Sequence, residues 1–375
     1  MKLMKAFTGF AFLGLCYASA AHAEITLLQR GNDTPYLNNL NLQVGGSVRG
    51  AYSNEMGGQD DGSRNHRGVD DGTRFRFRAD YYLNDDWSLL AYYEVGTDVA
   101  HWFGDNRHVN GKGTDRRQLY GGVASKTYGQ LTYGKQEGVY YQTISKPLDK
   151  WVQDKKGQPA GFGFNSNYDN GERSDGLLNY VNTFGDFKLL AEVMIPTRDV
   201  WKGSYIYRRG GGAGLAGQYS VTDDLTLGAA YTYQDVKVHR NGESNQHDFD
   251  QHMVGASVDW TPGQWYLAAS AGYYKDYVPN NVDPDINPSN YFVGNARSWE
   301  GFVGYTFDLP TDWAKSIQPY AAHSSTRWRD FDQTYNYIGV VTRFPYQFSL
   351  WIERQFSNTS DNQADVNKIR LRYDF

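Results

Sequence analysis

The chain has 375 residues, with 37 Lys and Arg against 42 Asp and Glu for a formal charge of −5, and Cys16 is its only cysteine. Aromatic residues make up 16%, Tyr alone numbers 30, Gly numbers 41, and the mean hydropathy is −0.67. An acidic balance argues against nucleic acid as a partner, and one cysteine leaves no room for an internal disulfide framework.

Lys2 and Lys5 precede an apolar run over 7–18, and Ala21-His22-Ala23 follows it. A basic start, a short apolar stretch and an A-x-A site predict a secretory signal peptide over 1–23 and an exported domain over 24–375. The run falls short of the ~18–20 apolar residues that a spanning helix needs. Leu15 ahead of Cys16 is not the small residue of a lipoprotein signal. Removing Lys2 and Lys5 leaves 35 basic residues against 42 acidic ones, a charge of −7, and the exported part has no cysteine.

Strand-like runs then recur. In 40–53, Leu42, Val44 and Val48 share one face, with Gln43, Ser47 and Arg49 on the other. In 73–83, Phe75, Phe77, Ala79, Tyr81 and Leu83 oppose Arg74, Arg76, Arg78 and Asp80. A turn at Asn84-Asp85-Asp86 leads to 87–97, where Glu94 lies opposite the face of Trp87, Leu89 and Tyr93. Further strands are expected at 115–125, 130–141, 173–183, 187–196, 213–221, 225–238, 251–260, 265–278, 297–309, 317–329, 334–344, 347–357 and 365–375. That makes sixteen strands, with seven short connections alternating with eight longer polar ones. Sorting of loop length by parity is the mark of a transmembrane barrel, with tight turns on one side and external loops on the other. A soluble sandwich has no reason for it.

The arginines assign the faces. Arg74, Arg76 and Arg78 recur every second residue, roughly 7 Å apart. On a lipid face each would cost ~2–4 kcal/mol at mid-membrane, whereas neighbours at that spacing repel by only ~0.6 kcal/mol in water. They therefore point into a wet lumen, and the Phe and Leu residues between them meet lipid or a neighbouring subunit. By the same alternation Arg49, Glu94, Arg370 and Arg372 fall on the lumen face. Arg117 is ambiguous, because Leu119 and Val123 share its parity.

The long segment 142–172 breaks the pattern, mixing charge, Pro and Gly where flanking strands keep one character. Connections beyond ~12–15 residues are uncommon unless functional or disordered. Here a loop folded into the mouth of the barrel is expected.

The segment RRQLYGGVASKTYGQLTYGKQEGVYY over 116–141, the strand pair over 173–192 and the closing Tyr373-Asp374-Phe375 resemble the general-diffusion porins of Gram-negative outer membranes. The resemblance implies a sixteen-stranded antiparallel barrel that assembles as a homotrimer among outer-membrane lipid and lipopolysaccharide. It would pass ions and small hydrophilic solutes by diffusion, without cofactor, metal or catalysis. It implies that the third external loop folds inward, its acids facing a cluster of wall arginines. Matched residue by residue, that cluster is Arg74, Arg117 and Arg173, with Glu94 as a wall carboxylate and Asp149, then Asp154, on the loop. The family's loop sequence Pro-Glu-Phe-Gly-Gly-Asp is absent, and Lys150, Lys155 and Lys156 crowd the stretch.

Other motifs carry less. Gly212-Ala213-Gly214-Leu215-Ala216-Gly217 spells a dinucleotide fingerprint, but no helix pattern follows it. Asp283, Asp285 and Asn287 start like a calcium loop that then fails at Pro288 and Gly294. His247, Asp248, Asp250 and His252 form the tightest acid–base cluster, the one basis for a barrel hydrolase. Trp102, Trp151, Trp201 and Trp328 are the basis for the other alternative, a sugar-specific channel with an aromatic track.

Overall fold

The computed structural model describes residues 24–57, 67–99, 113–153, 170, 172–202, 205–242, 246–277, 294–328 and 331–375. The expected signal peptide and Asp154 lie outside them.

Sixteen antiparallel strands close on themselves. They are β1 (Leu40–Met56), β2 (Arg74–Tyr82), β3 (Trp87–Thr97), β4 (Thr114–Ser125), β5 (Gly129–Glu137), β6 (Arg173–Phe184), β7 (Phe187–Met194) and β8 (Tyr205–Thr222). There follow β9 (Leu225–Arg240), β10 (Gln246–Trp260), β11 (Trp265–Tyr277), β12 (Gly294–Tyr305), β13 (Ser316–Trp328), β14 (Phe331–Arg343), β15 (Phe348–Thr359) and β16 (Asp365–Asp374). Each pairs with its successor, and β16 pairs with β1 from Ser47↔Asp374 to Met56↔Asp365, so no barrel edge is left open. Closure matters because unpaired backbone in hydrocarbon costs several kcal/mol per group. Every expected strand is present, and β8 begins well before residue 213.

Alternation builds the two surfaces. Outward side chains such as Phe77, Tyr93, Leu119, Leu215 and Ile352 remain more than a third exposed in the isolated chain, while their inward neighbours are largely covered. At the tight-turn end the outer surface is aromatic, with Trp87, Tyr128, Trp260, Trp265, Trp313 and Phe348 exposed, as an interfacial girdle requires. The tight turns carry their own chemistry. Asn84 Oδ1 accepts the amides of Asp86 and Trp87, both at 2.8 Å, and Gly185 adopts φ +58.

The sorting of loop length is only partly kept. Between β9 and β10 only 241–245 intervene, between β13 and β14 only 329–330, and between β15 and β16 only 360–364. The polar residues assigned to these external loops extend the strands instead. Paired strands satisfy the backbone above the membrane as well as in it.

The chain ends seal the barrel together. Phe375 N–H donates to Gly46 O at 3.1 Å and Gly46 N–H to Phe375 O at 2.7 Å, and the Phe375 ring meets Phe75 edge-on at 5.7 Å. Where β16 stops, the short strand Ile25–Leu28 continues along β1, pairing Ile25 with Val44. Deleting Phe375 removes both hydrogen bonds, each worth about 0.5–1.5 kcal/mol net, plus the ring packing. The folded, gel-retarded fraction after refolding should fall sharply; an unchanged fraction would show that closure is independent of this residue.

Candidate functional site

The segment after β5 turns helical earlier than its sequence suggests. Val139 to Leu148, expected to begin as strand, form a helical turn, a π-helical stretch Tyr141–Ser145 and a 3-10 turn Lys146–Leu148. Val139, Tyr140 and Ile144 are fully buried against Leu190, Met253, Tyr274 and Trp328 on the inner wall. Leu148 and Trp151 are buried against Phe302, Tyr320, Tyr335 and Tyr337 further round. Residues 139–153 therefore form a second layer inside the barrel.

Polar contacts fix its course. Val139 N–H donates to Glu192 at 3.0 Å on β7, the Thr143 carbonyl accepts from Ser257 at 2.8 Å on β10, and the Pro147 carbonyl accepts from Tyr266 at 2.6 Å on β11. Glu353 on β15 accepts the amides of Val152 at 2.9 Å and Gln153 at 3.0 Å, while Arg370 on β16 donates to Val152 O at 2.9 Å. The segment thus follows the wall from β7 to β16. Glycines make the seat. A Cβ on Gly255 or Gly272 would lie 2.5 Å from the Tyr140 hydroxyl, which bonds Tyr274 at 2.8 Å. Val suits a strand, so Gly255→Val should fold yet displace Tyr140, raising open-channel noise in bilayer recordings. Noise at the wild-type level would mean that Tyr140 does not hold the insert.

The remaining wall, β16 through β4, carries the cations. Arg117 Nε donates to Glu94 Oε1 at 2.5 Å, Arg74 lies 3.9 Å from the same oxygen, and Arg76 lies 4.0 Å from Oε2. The ambiguity of Arg117 has a local cause. Glu94 pairs with Gln118 but Val95 with Arg116, so Arg117 is the extra residue of a β-bulge. A bulge re-aims its side chain and reverses parity beyond it. Arg117 consequently reaches the inner carboxylate although Leu119 and Val123 face out.

The other candidates are placed as follows. Arg78 pairs with Asp80 at 2.8 Å, one level away from Glu94, and Arg173 is ion-paired with its neighbour Glu172. Arg370 pairs with Asp71, which also binds Lys368 at 2.7 Å, and Arg372 pairs with Asp374 at 2.8 Å. Arg49 is buried and donates from Nε to Ser47 at 2.9 Å. On the insert, Asp149 receives the Tyr141 hydroxyl at 2.6 Å, a contact within the segment itself. Lys150 lies 5.1 Å from the Tyr266 ring, and burial lowers its pKa against the raising effect of Asp259 and Asp149.

Among the described residues, the bases for the alternative activities are not assembled. Trp151 is 2% exposed, stacked on Phe302 at 5.8 Å, so it presents no face to a sugar. Trp328 is buried beside Tyr277, and Trp201 stands alone among the four on an exposed surface, with Trp102 outside the described residues. Asp250 and His252 lie along one strand and bond Tyr233 at 2.9 Å and Tyr231 at 2.7 Å, on the outward face. The glycine-rich run sits in the middle of β8, where a Cβ on Gly212 would lie 2.4 Å from Tyr233 O, so it serves close strand approach.

Glu353, Glu192 and Tyr140 were not among the expected site residues, although they organise the insert. For Glu192 and Glu353 parity was the available signal, since a carboxylate in mid-strand can face only the lumen. What each would bind there was not written in its own strand.

Comparison with known proteins agrees with this architecture. A family model described as Gram-negative porin matches residues 9–341. Outer membrane porin C 2 of Shigella flexneri serotype 5a is 24% identical, over 96% of this chain and 94% of its own length. Porin-like protein L of Photobacterium profundum is 26% identical over 70% and 71% of the two chains. Among solved structures, OmpF of Salmonella typhi, determined in complex with daunomycin, superposes with a TM-score of 0.69 at 17% identity, over 91% of this chain and 99% of that one. A trimer form of in-vitro folded OmpT from Vibrio cholerae gives 0.60 at 16% identity, over 90% and 99%. A closed sixteen-stranded barrel, an insert lining its interior and this family match together place the chain in the outer membrane, as a member of the Gram-negative porins that form diffusion channels.

Proposed function

We propose that solutes cross this channel through an eyelet between the insert 138–172 and the wall arginines Arg74, Arg76 and Arg117 around Glu94. The observation that carries the reading is the path of the insert. Its described part, residues 139–153, is anchored from Glu192 on β7 round to Arg370 on β16, and among the described residues the strands from β1 to β4 form the opposite bank. Ions and small hydrophilic molecules are sieved by the gap and sorted by the field across it, without bond making. Arg49, Arg370 and Arg372 extend the positive bank, Arg173 with Glu172 flanks it, and Asp149 and Asp154 are the acids offered from the insert.

The functional unit is a homotrimer surrounded by lipid and lipopolysaccharide. The OmpT trimer form, with the same fold, supports this assembly. Single-channel recording of the refolded 24–375 chain tests the whole reading. Stepwise openings in threes, unaffected by added maltooligosaccharides, are expected. Blockage by sugar would replace the general pore with a specific one, and a correctly folded barrel that never conducts would remove the channel reading for the purified protein.

A further inference from the structure

The connection between β1 and β2 also reaches into the lumen, through one acid. Its last part, the short strand Arg67–Asp70, runs along β1 with Val69 opposite Ala51 and Asp70 opposite Gly50. β2 then takes over the same side of β1, starting with Arg74 opposite Ser47. Two residues of β1, Val48 and Arg49, therefore face three, Asp71, Gly72 and Thr73. This is a β-bulge, the device that also re-aims Arg117. Local bonds fix its shape. Asp70 Oδ1 accepts the amides of Gly72 at 3.0 Å and Thr73 at 2.9 Å, Gly72 adopts φ +88, and Thr73 Oγ1 accepts the Arg49 amide at 2.9 Å.

The bulge turns Asp71 inward and across β1 onto β16. Its carboxylate accepts Lys368 at 2.7 Å and also the Arg370 Nε, and none of the three side chains is more than 15% exposed. Ala51, the buried β1 residue opposite Arg370, is small enough to let them meet. The other end of the Arg370 fork goes to the insert, where Nη2 donates to Val152 O at 2.9 Å. Val152 N–H donates to Glu353 at 2.9 Å, so this residue is gripped from both sides.

A free arginine side chain has several rotamers to lose, whereas one held by a carboxylate presents its remaining donors already aimed. Arg370 also stands between Lys368 and Arg372 on one face of β16, roughly 7 Å from each along the strand. Asp71 offsets that repulsion. We propose that Asp71 is a positioning residue of the eyelet, aiming Arg370 at Val152 and so tying the β1–β2 connection to the insert. Two inward elements then set the aperture, and the role rests on the eyelet reading given above.

The test is bilayer recording of Asp71→Ala, Arg370→Ala and the double variant in potassium chloride, each first checked for folding by gel retardation. In Asp71→Ala the time spent away from the main open level should rise at least about tenfold, the loss of one charge-assisted hydrogen bond. Arg370→Ala should do the same, and the double variant no more than either, because both act through one contact. In a channel lacking 146–153, which has no Val152, Asp71→Ala should add no such excursions. A quiet Asp71→Ala channel whose reversal potential moves toward anions would overturn the role and leave Asp71 a lumen charge alone. Additive effects in the double variant would overturn it too. Should Asp71→Ala not refold, Asp71→Leu, of similar shape and without an acceptor, is read by the same two criteria. A conductance that deletion of 146–153 leaves unchanged would instead overturn the eyelet reading on which the role rests.

Discussion

Removing residues 146–153 will raise the single-channel conductance by about a factor of two, because these residues occupy the lumen cross-section between β11 and β16. They supply Leu148 and Trp151, both buried on the wall, and the two amides that Glu353 accepts. The barrel itself should persist, since its strand ladder closes without them. Burial of the Leu148 side chain alone is worth roughly 1.5–3 kcal/mol, so some thermal stability will be lost as well. Conductance steps in potassium chloride decide the matter. An unchanged step size in a folded variant would mean that the insert does not limit the ion path.

Replacing Arg74, Arg76 and Arg117 together by Ser will move the reversal potential under a salt gradient toward cation preference, changing the permeability ratio by about fivefold. The three guanidinium groups surround one carboxylate, so their loss leaves Glu94 as the local charge. Glu94→Gln should shift the potential the opposite way, toward anions. An unpaired carboxylate deep in a dry core would unfold a protein, with a cost of 3–5 kcal/mol. In a hydrated lumen water replaces the lost partners, so both variants should refold. Two opposite shifts would place the cluster in the ion path. If neither variant moves the potential, ions pass elsewhere.

The differences between sequence and structure follow one physical line. Period-two alternation reads each strand by itself, so Phe77 and Arg76 could be sent to opposite surfaces without knowing any neighbour. A bulge is a property of a pair. Whether Arg117 belongs to the run of Leu119 depends on β3, where Glu94 and Val95 skip a residue of β4. Tight turns such as Asn84-Asp85-Asp86 announce themselves through local side-chain acceptors, but the height to which β9 and β10 stay paired depends on both strands together.

The sequence by itself determined the barrel: its sixteen strands, its two faces, its membrane and the arginines on its inner wall. The energies involved there are local, a charge that lipid rejects and a side chain whose direction is set by its parity. Only the tertiary structure decided the course of the insert along the inner wall. Tyr140 is held by glycines and a tyrosine more than a hundred residues later in the chain, and Val152 and Gln153 are held by Glu353 and Arg370 from the last two strands. Trp151 illustrates the same point, since a tryptophan in a polar insert suggested an aromatic track until Phe302 and Tyr337 closed over it. Contacts of that kind arise from the closed circle of strands, which brings distant segments to one side of the lumen, and no single stretch of sequence contains that circle.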